Sequence, residues 1–184
     1  MQINQFVGNK FIDNFFYYIT FLGDGVLGVI ILVIAFMINV RLGIYLTLSF
    51  LLAALTTNLL KYQFFQDSDR PYWIYQYVNR YDVKKVEGVE LLIKKSFPSG
   101  HATQAFAIFF GCALASMKQL NKLLFLSIAI LAAYSRVYLS QHWLQDITAG
   151  SIIGVFYAVV FYLLIFYKPS FDNLNKPLMQ VFKR

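Results

Sequence analysis

The stretch KKSFPSGHATQAFAIFFGCALASM, Lys94 to Met117, decides how the whole chain is read. Its second half is a membrane span by hydropathy, and its first half sets Pro98, Ser99, Gly100 and His101 at the lip of that span. A bilayer core holds no water to satisfy polar groups, so an ionisable residue beside a span needs a partner or a task. The rest of the sequence has to supply that task.

Working outward, the 184 residues are 59% hydrophobic and 14% charged, against about 25% charged in a soluble domain. The apolar excess is gathered into five blocks, roughly Val26–Val40, Leu42–Leu60, Ala102–Met117, Leu123–Leu139 and Ile147–Tyr167. This pattern predicts an all-α integral membrane protein, a single domain over residues 1–184 built as a bundle of five transmembrane helices. FIDNFFYYITFLGDG, Phe11 to Gly25, mixes aromatics with Asp13, Asn14 and Asp24. It reads as an N-terminal helix lying at the interface, or as the start of a longer first span, with six spans as the upper count. The lone Cys112 sits in an apolar run and forms no intrachain disulfide. The net charge of +7 suits a membrane surface better than nucleic acid, which is not expected as a partner. No repeat, low-complexity tract or cleaved signal peptide is expected.

Between the second and third blocks, Tyr62–Phe97 holds most of the acids and the aromatic group Tyr72, Trp73, Tyr75 and Tyr77, which suits the headgroup zone. Within it VKKVEGVELLIKK, Val83 to Lys95, reads as a short amphipathic helix interrupted by Gly88. Five spans put the termini on opposite sides. One side receives Arg41, Lys118, Lys122, Lys168, Lys176, Lys183 and Arg184 with one acid, Asp172; the other has nine Lys and Arg spread among eight acids. The first side is therefore expected to be cytoplasmic, with the tail from Lys168 as a flexible end touching anionic lipid. Gly150, Gly154 and Ala158 recur at four-residue spacing on the last span, where small residues let helices pack closely.

The same five-span layout delivers Lys61, Arg70, Ser99, Gly100, His101, Arg136, His142 and Asp146 to the opposite, outward side. Three cations match a tetrahedral dianion, since Arg offers forked donors and Lys a point charge. Ser99 and Gly100 precede a helix start, where free backbone N–H groups favour an anion. Two imidazoles can act as nucleophile and proton donor. Asp146 lies four residues after His142, so on a helix both share a face and the carboxylate can fix the ring tautomer. Blander readings stand beside this one: a snorkelling Lys61, a loop-starting Arg70, a helix cap at Ser99, a headgroup anchor at Arg136, and interface roles for His101, His142 and Asp146.

Together KYQFFQDSDRP (Lys61 to Pro71), PSGH (Pro98 to His101) and SRVYLSQHWLQD (Ser135 to Asp146) resemble the three signature motifs of the type 2 phosphatidic acid phosphatase family, which also includes vanadium haloperoxidases and glucose-6-phosphatase. The resemblance implies that His142 attacks phosphorus to form a phosphohistidine and that Asp146 orients it. It implies that His101 protonates the leaving oxygen, and that Lys61, Arg70, Ser99, Gly100 and Arg136 hold the phosphoryl oxygens. It implies no metal and no cofactor. One departure is visible: eight residues separate Lys61 from Arg70, where the family usually has six. At about 100° per residue that would put the two on opposite faces of a continuous helix, so a break at Gln66-Asp67-Ser68-Asp69 is expected.

The resulting expectation is a membrane phosphatase acting on a lipid phosphate or diphosphate: phosphatidic acid, phosphatidylglycerol phosphate, polyprenyl diphosphate or a lipid A-type glycolipid. Its partners are the bilayer and that lipid, with no oligomeric state fixed. Its expected place is the bacterial inner membrane with the site on the periplasmic side. The rivals are a phosphotransferase of the same chemistry and a non-catalytic phospholipid-binding protein.

Overall fold

Short polar side chains start the helices. Asn9 accepts from the backbone of Phe11 and Ile12 and opens α1 (Lys10–Ile19), which runs into a 3-10 turn (Thr20–Gly23). Asp24 accepts from Val26 and opens α2 (Gly25–Ile38), and Asn39, in extended backbone, accepts from Leu42 and opens α3 (Val40–Leu59). Ser99 caps α5 (Gly100–Ala115) by accepting from Ala102. Each such cap satisfies an N–H that the first helical turn leaves unpaired. In the computed structural model, which describes residues 6–181, these helices are joined by α4 (Pro71–Trp73, continued to Val78 by a wider turn), α6 (Gln119–Tyr138), α7 (Leu144–Phe166) and a short α8 (Leu178–Val181). No strand occurs among the described residues.

The protein is an all-helical membrane bundle. α5 lies at its centre, packed by α3, α6 and α7, with α2 against α3. The core is built from Tyr45, Leu46, Phe50, Ala105, Ile108 and Ala132. Outward-facing Val29, Val33, Leu55, Ile152 and Leu163 are all more than half exposed, an apolar surface that only lipid would cover favourably. Three helices are long and apolar enough to cross a bilayer alone: Val40–Phe64, Gln119–Tyr138 and Leu144–Phe166. Lys10–Gly23 and Gly25–Ile38 make a fourth if taken as one span bent by 57°, and Gly100–Ala115 is a shorter apolar helix. The N-terminal segment is thus a helix docked on α6 and hinged to α2 at Gly23–Asp24.

One long connection and the tail differ from their sequence reading. Val83–Lys95 forms no helix. Gly88 turns at φ +80°, a conformation foreign to a right-handed helix, while Val83 and Val86 are buried. The far end of the segment instead pairs with the chain before α4: Arg70 N–H donates to Ile93 O at 2.9 Å and Ser96 N–H to Ser68 O at 3.1 Å. The tail also folds back, at least over Pro169–Lys176. Asp172 bonds Arg41 Nη1 at 2.7 Å, and Val40 N–H donates to Lys176 O at 3.0 Å. Arg41 is 7% exposed and also donates to Ile165 O and Phe166 O. It neutralises the carbonyls that end α7, the favoured place for a cation.

The face bearing Gly150 and Gly154 lies on α5. A Cβ at Gly150 would come within 2.4 Å of Ser99 O, and one at Gly154 within 2.5 Å of Thr103 O. The two backbones therefore touch, which brings the N-termini of α5 and α7 to one place. Gly154→Leu should lower the thermal midpoint in detergent, costing on the order of 1–3 kcal/mol or more from overpacking. Ile152→Leu on the lipid face should leave it unchanged; equal melting of the two variants would contradict this contact.

Candidate active site

The loop after α6 makes the first part of the site. Leu139–Trp143 folds back so that Arg136 O accepts both Gln141 N–H (2.9 Å) and His142 N–H (3.1 Å). This hairpin-like return sets His142 beside the end of α6, where Arg136 occupies the last turn. His142 is 2% exposed. Its Nδ1 lies 3.4 Å from Asp146 Oδ2 and its Nε2 3.3 Å from Arg70 Nη1. A guanidinium can only donate, so Nε2 presents a lone pair, and the ring proton sits on Nδ1 facing the carboxylate.

Asp146 is held in turn. Its Oδ2 accepts from Trp143 N–H at 2.9 Å and from the Ser96 hydroxyl, while its backbone O accepts Ser99 N–H at 3.0 Å. Its Oδ1 is buried with no hydrogen-bond partner among the described residues. A cavity of about 410 Å³ lined by Ser68, Asp69, Ser96, Trp143 and Asp146 adjoins it.

Arg70 is 4% exposed and is steered by carbonyls of the long loop. Its Nε donates to Lys94 O (2.9 Å), Nη2 to Lys95 O (3.2 Å), and Nη1 to Gln141 O (2.8 Å) and Gln141 Oε1 (3.1 Å). Gln141, also buried, passes this on by donating from Nε2 to Glu90 O at 2.6 Å. Burial pulls the Arg70 guanidinium down to about 10 while the charge of Asp146 opposes that, so it stays cationic at neutral pH.

Lys61 arrives from α3. The helix widens into a π turn over Leu60–Phe64 and stops at Phe65, ahead of Gln66. Arg70, in extended backbone, then leads into α4. The wide turn and this early break absorb the two extra residues of the first motif. Thr57, one turn before Lys61, shares a 2.9 Å hydroxyl bond with Thr103 of α5, which fixes α3 against the helix that carries His101. Lys61 lies within charge range of Arg70, Asp146, Arg136 and Lys95. His101 lies within range of Arg136, His142, Lys61 and Arg70. Ser99 is fully buried as the α5 cap, and a Cβ on Gly100 would meet nothing within 4 Å.

All eight residues read from the sequence are thereby brought to one end of the bundle, although Arg70 gives most of its donors to loop carbonyls. Sequence reasoning missed Thr20, Thr57, Ser96, Thr103 and Gln141. Only Thr57 carried a signal, standing four residues before Lys61 in an apolar span. Among the described residues no group of three or more His, Cys, Asp and Glu is placed to hold a metal. What the arrangement offers is an oriented imidazole, a second imidazole, three cations, the carboxylate of Asp146 beside His142, and two helix N-termini.

The family model of the PAP2 superfamily matches residues 42–170, and the chain belongs to that superfamily. Comparison with the curated proteins finds no match. Among solved structures, the chain is similar to LpxE from Aquifex aeolicus, with 26% identity and a TM-score of 0.72 over 87% of this chain and 90% of that one. It also shares its fold with a transmembrane PAP2-type phosphatidylglycerolphosphate phosphatase from Bacillus subtilis, at 19% identity and a TM-score of 0.69 over 93% of this chain and 84% of that one. The protein is an integral membrane protein with a PAP2 phosphatase fold.

Burial holds the His142 imidazole below its ordinary value of 6.5. The bond to Asp146 opposes this, and the charges of Arg70, Arg136 and Lys61 add to it. A base whose folded pKa is lowered stays neutral in the native state after the unfolded chain has begun to take up a proton, so folding should weaken as pH falls below about 6.5. Titration of ¹⁵N-histidine-labelled protein should show His142 still neutral at pH 5.5. A midpoint at or above 6.5 would contradict the buried geometry.

Proposed function

We propose that the protein is a metal-independent lipid phosphatase working through a phosphohistidine, with its site on the extracytoplasmic face of a bacterial inner membrane. The observation that carries this reading is the buried relay from Asp146 to His142 Nδ1, with His142 Nε2 turned toward Arg70. A neutral imidazole with its lone pair directed at a cluster of cations is poised to attack an electrophile that the cations hold.

The chemistry follows from those atoms. His142 Nε2 attacks phosphorus; the N–P bond forms as the bond from phosphorus to the lipid oxygen breaks. His101 gives its proton to that oxygen, a transfer worth about 10²–10⁴-fold. Water then gives a proton back to His101 while its oxygen attacks phosphorus. The N–P bond breaks, phosphate leaves and His142 is restored. Asp146 steadies positive charge on the His142 ring in both steps. Lys61, Arg136 and the N–H groups after Ser99 stabilise charge on the phosphoryl oxygens, usually the largest catalytic contribution. Arg70 adds its charge and keeps Nε2 aimed. Gly100 leaves open the space where an oxyanion would meet the first turn of α5. The apolar outer faces of α6 and α7 suit a substrate whose chains remain in the bilayer while its headgroup reacts. Phosphatidic acid, phosphatidylglycerol phosphate, a polyprenyl diphosphate and a lipid A-type phosphate all present that chemistry.

Purified protein with a chelator present should release phosphate from at least one of these lipids and be inhibited by vanadate. His142→Ala should remain folded, form no phosphoenzyme and lose at least about 10³-fold in kcat. Near-normal turnover in that variant would remove His142 as nucleophile, and phosphate binding without release by the wild type would favour a binding protein.

A further inference from the structure

The PAP2 match begins at residue 42, yet the site is closed by residues that precede it. Arg136 Nη1 donates to Thr20 Oγ1 at 2.8 Å. Thr20 is 8% exposed and opens the 3-10 turn between α1 and α2. The same turn abuts the other side of the site, because a Cβ on Gly23 would lie 2.8 Å from His101 O and 3.0 Å from His101 Cβ. Asp24, next along the chain, is close enough for its charge to act on Arg136. The turn is therefore wedged between the two residues that would bind phosphoryl oxygen and protonate the leaving group.

Its position is fixed independently of the site. Phe16 of α1 stacks on Tyr138 at 4.3 Å between ring centroids, and the Tyr138 hydroxyl bonds Asp13 Oδ1 at 2.6 Å. Tyr138 lies two residues beyond Arg136, so α1 docks on the turn of α6 that carries the guanidinium. The opposite face of α1 is aromatic and uncovered by protein: Phe11, Phe15 and Tyr18 are 81%, 41% and 68% exposed, at the four- and three-residue spacing of one helical face. That face suits the lipid interface. Meanwhile Arg136 Nε is buried with no partner among the described residues. A buried donor left unpaired is costly, and here it belongs to the one guanidinium at the site that is not tied up by carbonyls.

We propose that Thr20 is a positioning residue for Arg136: the membrane-seated α1 delivers a hydroxyl that fixes one end of the guanidinium, leaving Nε and the remaining N–H groups for a phosphoryl oxyanion. This rests on the phosphatase reading of the site. Without the Thr20 acceptor, Arg136 can rotate about its side chain, and the forked contact loses its aim.

Thr20→Val keeps the shape and removes the acceptor; Thr20→Ser restores it. Thr20→Val should raise the vanadate inhibition constant and lower kcat/KM, each by about 10–100-fold, with little change in thermal midpoint. Thr20→Ser should recover most of both. If Thr20→Val does not fold, Thr20→Ala is measured with the same readouts. Wild-type vanadate affinity and kcat/KM in the valine or alanine variant, or a lower melting temperature with unchanged kinetics, would overturn the positioning role. Wild-type protein that releases phosphate from no lipid would count against the phosphatase reading itself. Thr20 would then be judged by direct vanadate binding to wild type and variants, and equal binding would overturn it.

Discussion

The carboxylate of Asp146 is where the bundle and the site become the same object. Oδ2 receives the Ser96 hydroxyl, Trp143 N–H and His142 Nδ1, and the residue's own carbonyl receives Ser99 N–H. These bonds join the long loop, the return after α6, the start of α7 and the cap of α5. A buried carboxylate is strongly disfavoured unless its oxygens are bonded and a cation is near, and Arg70 lies within charge range. Removing any one of these partners would therefore disturb the other helix ends as well as the imidazole. The direct contact of Gly150 and Gly154 with the α5 backbone is what allows this: two helix N-termini can share a single acceptor residue only if nothing larger than hydrogen separates them.

The two ends of the bundle use arginine in opposite ways. At the far end, Arg41 meets Ile165 O, Phe166 O and Asp172 and lies over the Phe166 ring at 4.9 Å. Its charge is answered from every side, and it acts as a clasp between α3, α7 and the tail. At the near end, Arg70 is bound to loop carbonyls, and among the described residues Arg136 has the Thr20 hydroxyl as partner and an unpaired Nε. Carbonyls and hydroxyls satisfy donors without cancelling a full charge. The near end is thus held in place while remaining electrostatically open.

What the sequence disclosed follows from which physical signals are periodic or fixed in spacing. The apolar blocks announced the helices because a span must be long and nearly free of charge, and Lys61, His101 and Arg136 stand at or near block edges, in keeping with their gathering at one end with Arg70, His142 and Asp146. The break in the first motif was legible from its length, though the chain leaves the helix one residue earlier, at Phe65, after a π turn. The segment Val83–Lys95 misled because its apolar spacing suits a helix, whereas its backbone is claimed by Ser68 and Arg70 far earlier in the chain. The bonds Thr20–Arg136, Thr57–Thr103, Ser96–Asp146 and Gln141–Arg70 join residues 46 to 116 positions apart or a buried side chain to a distant loop. Single hydroxyls and amides leave no period in a sequence, so such pairings show only in three dimensions.

Charge at the near end does not balance by itself. Lys61, Arg70 and Arg136 act on one another as like charges, while Asp146 answers Lys61 and Arg70 and Asp24 answers Arg136. The first turns of α5 and α7 add further partial positive charge. Protein alone would relieve such a concentration by letting lysine and arginine side chains reach solvent, yet Arg70 is buried and Arg136 is pinned by Thr20. A doubly charged oxyanion beside Gly100, where an added Cβ would meet nothing within 4 Å, would satisfy the open donors and offset the repulsion at once. By the same reasoning, the second imidazole belongs where it is. His101 lies within range of the same cations, so an anion bound there would sit beside both imidazoles. One of those cations, Arg136, is held through Thr20 from outside the motif-bearing helices.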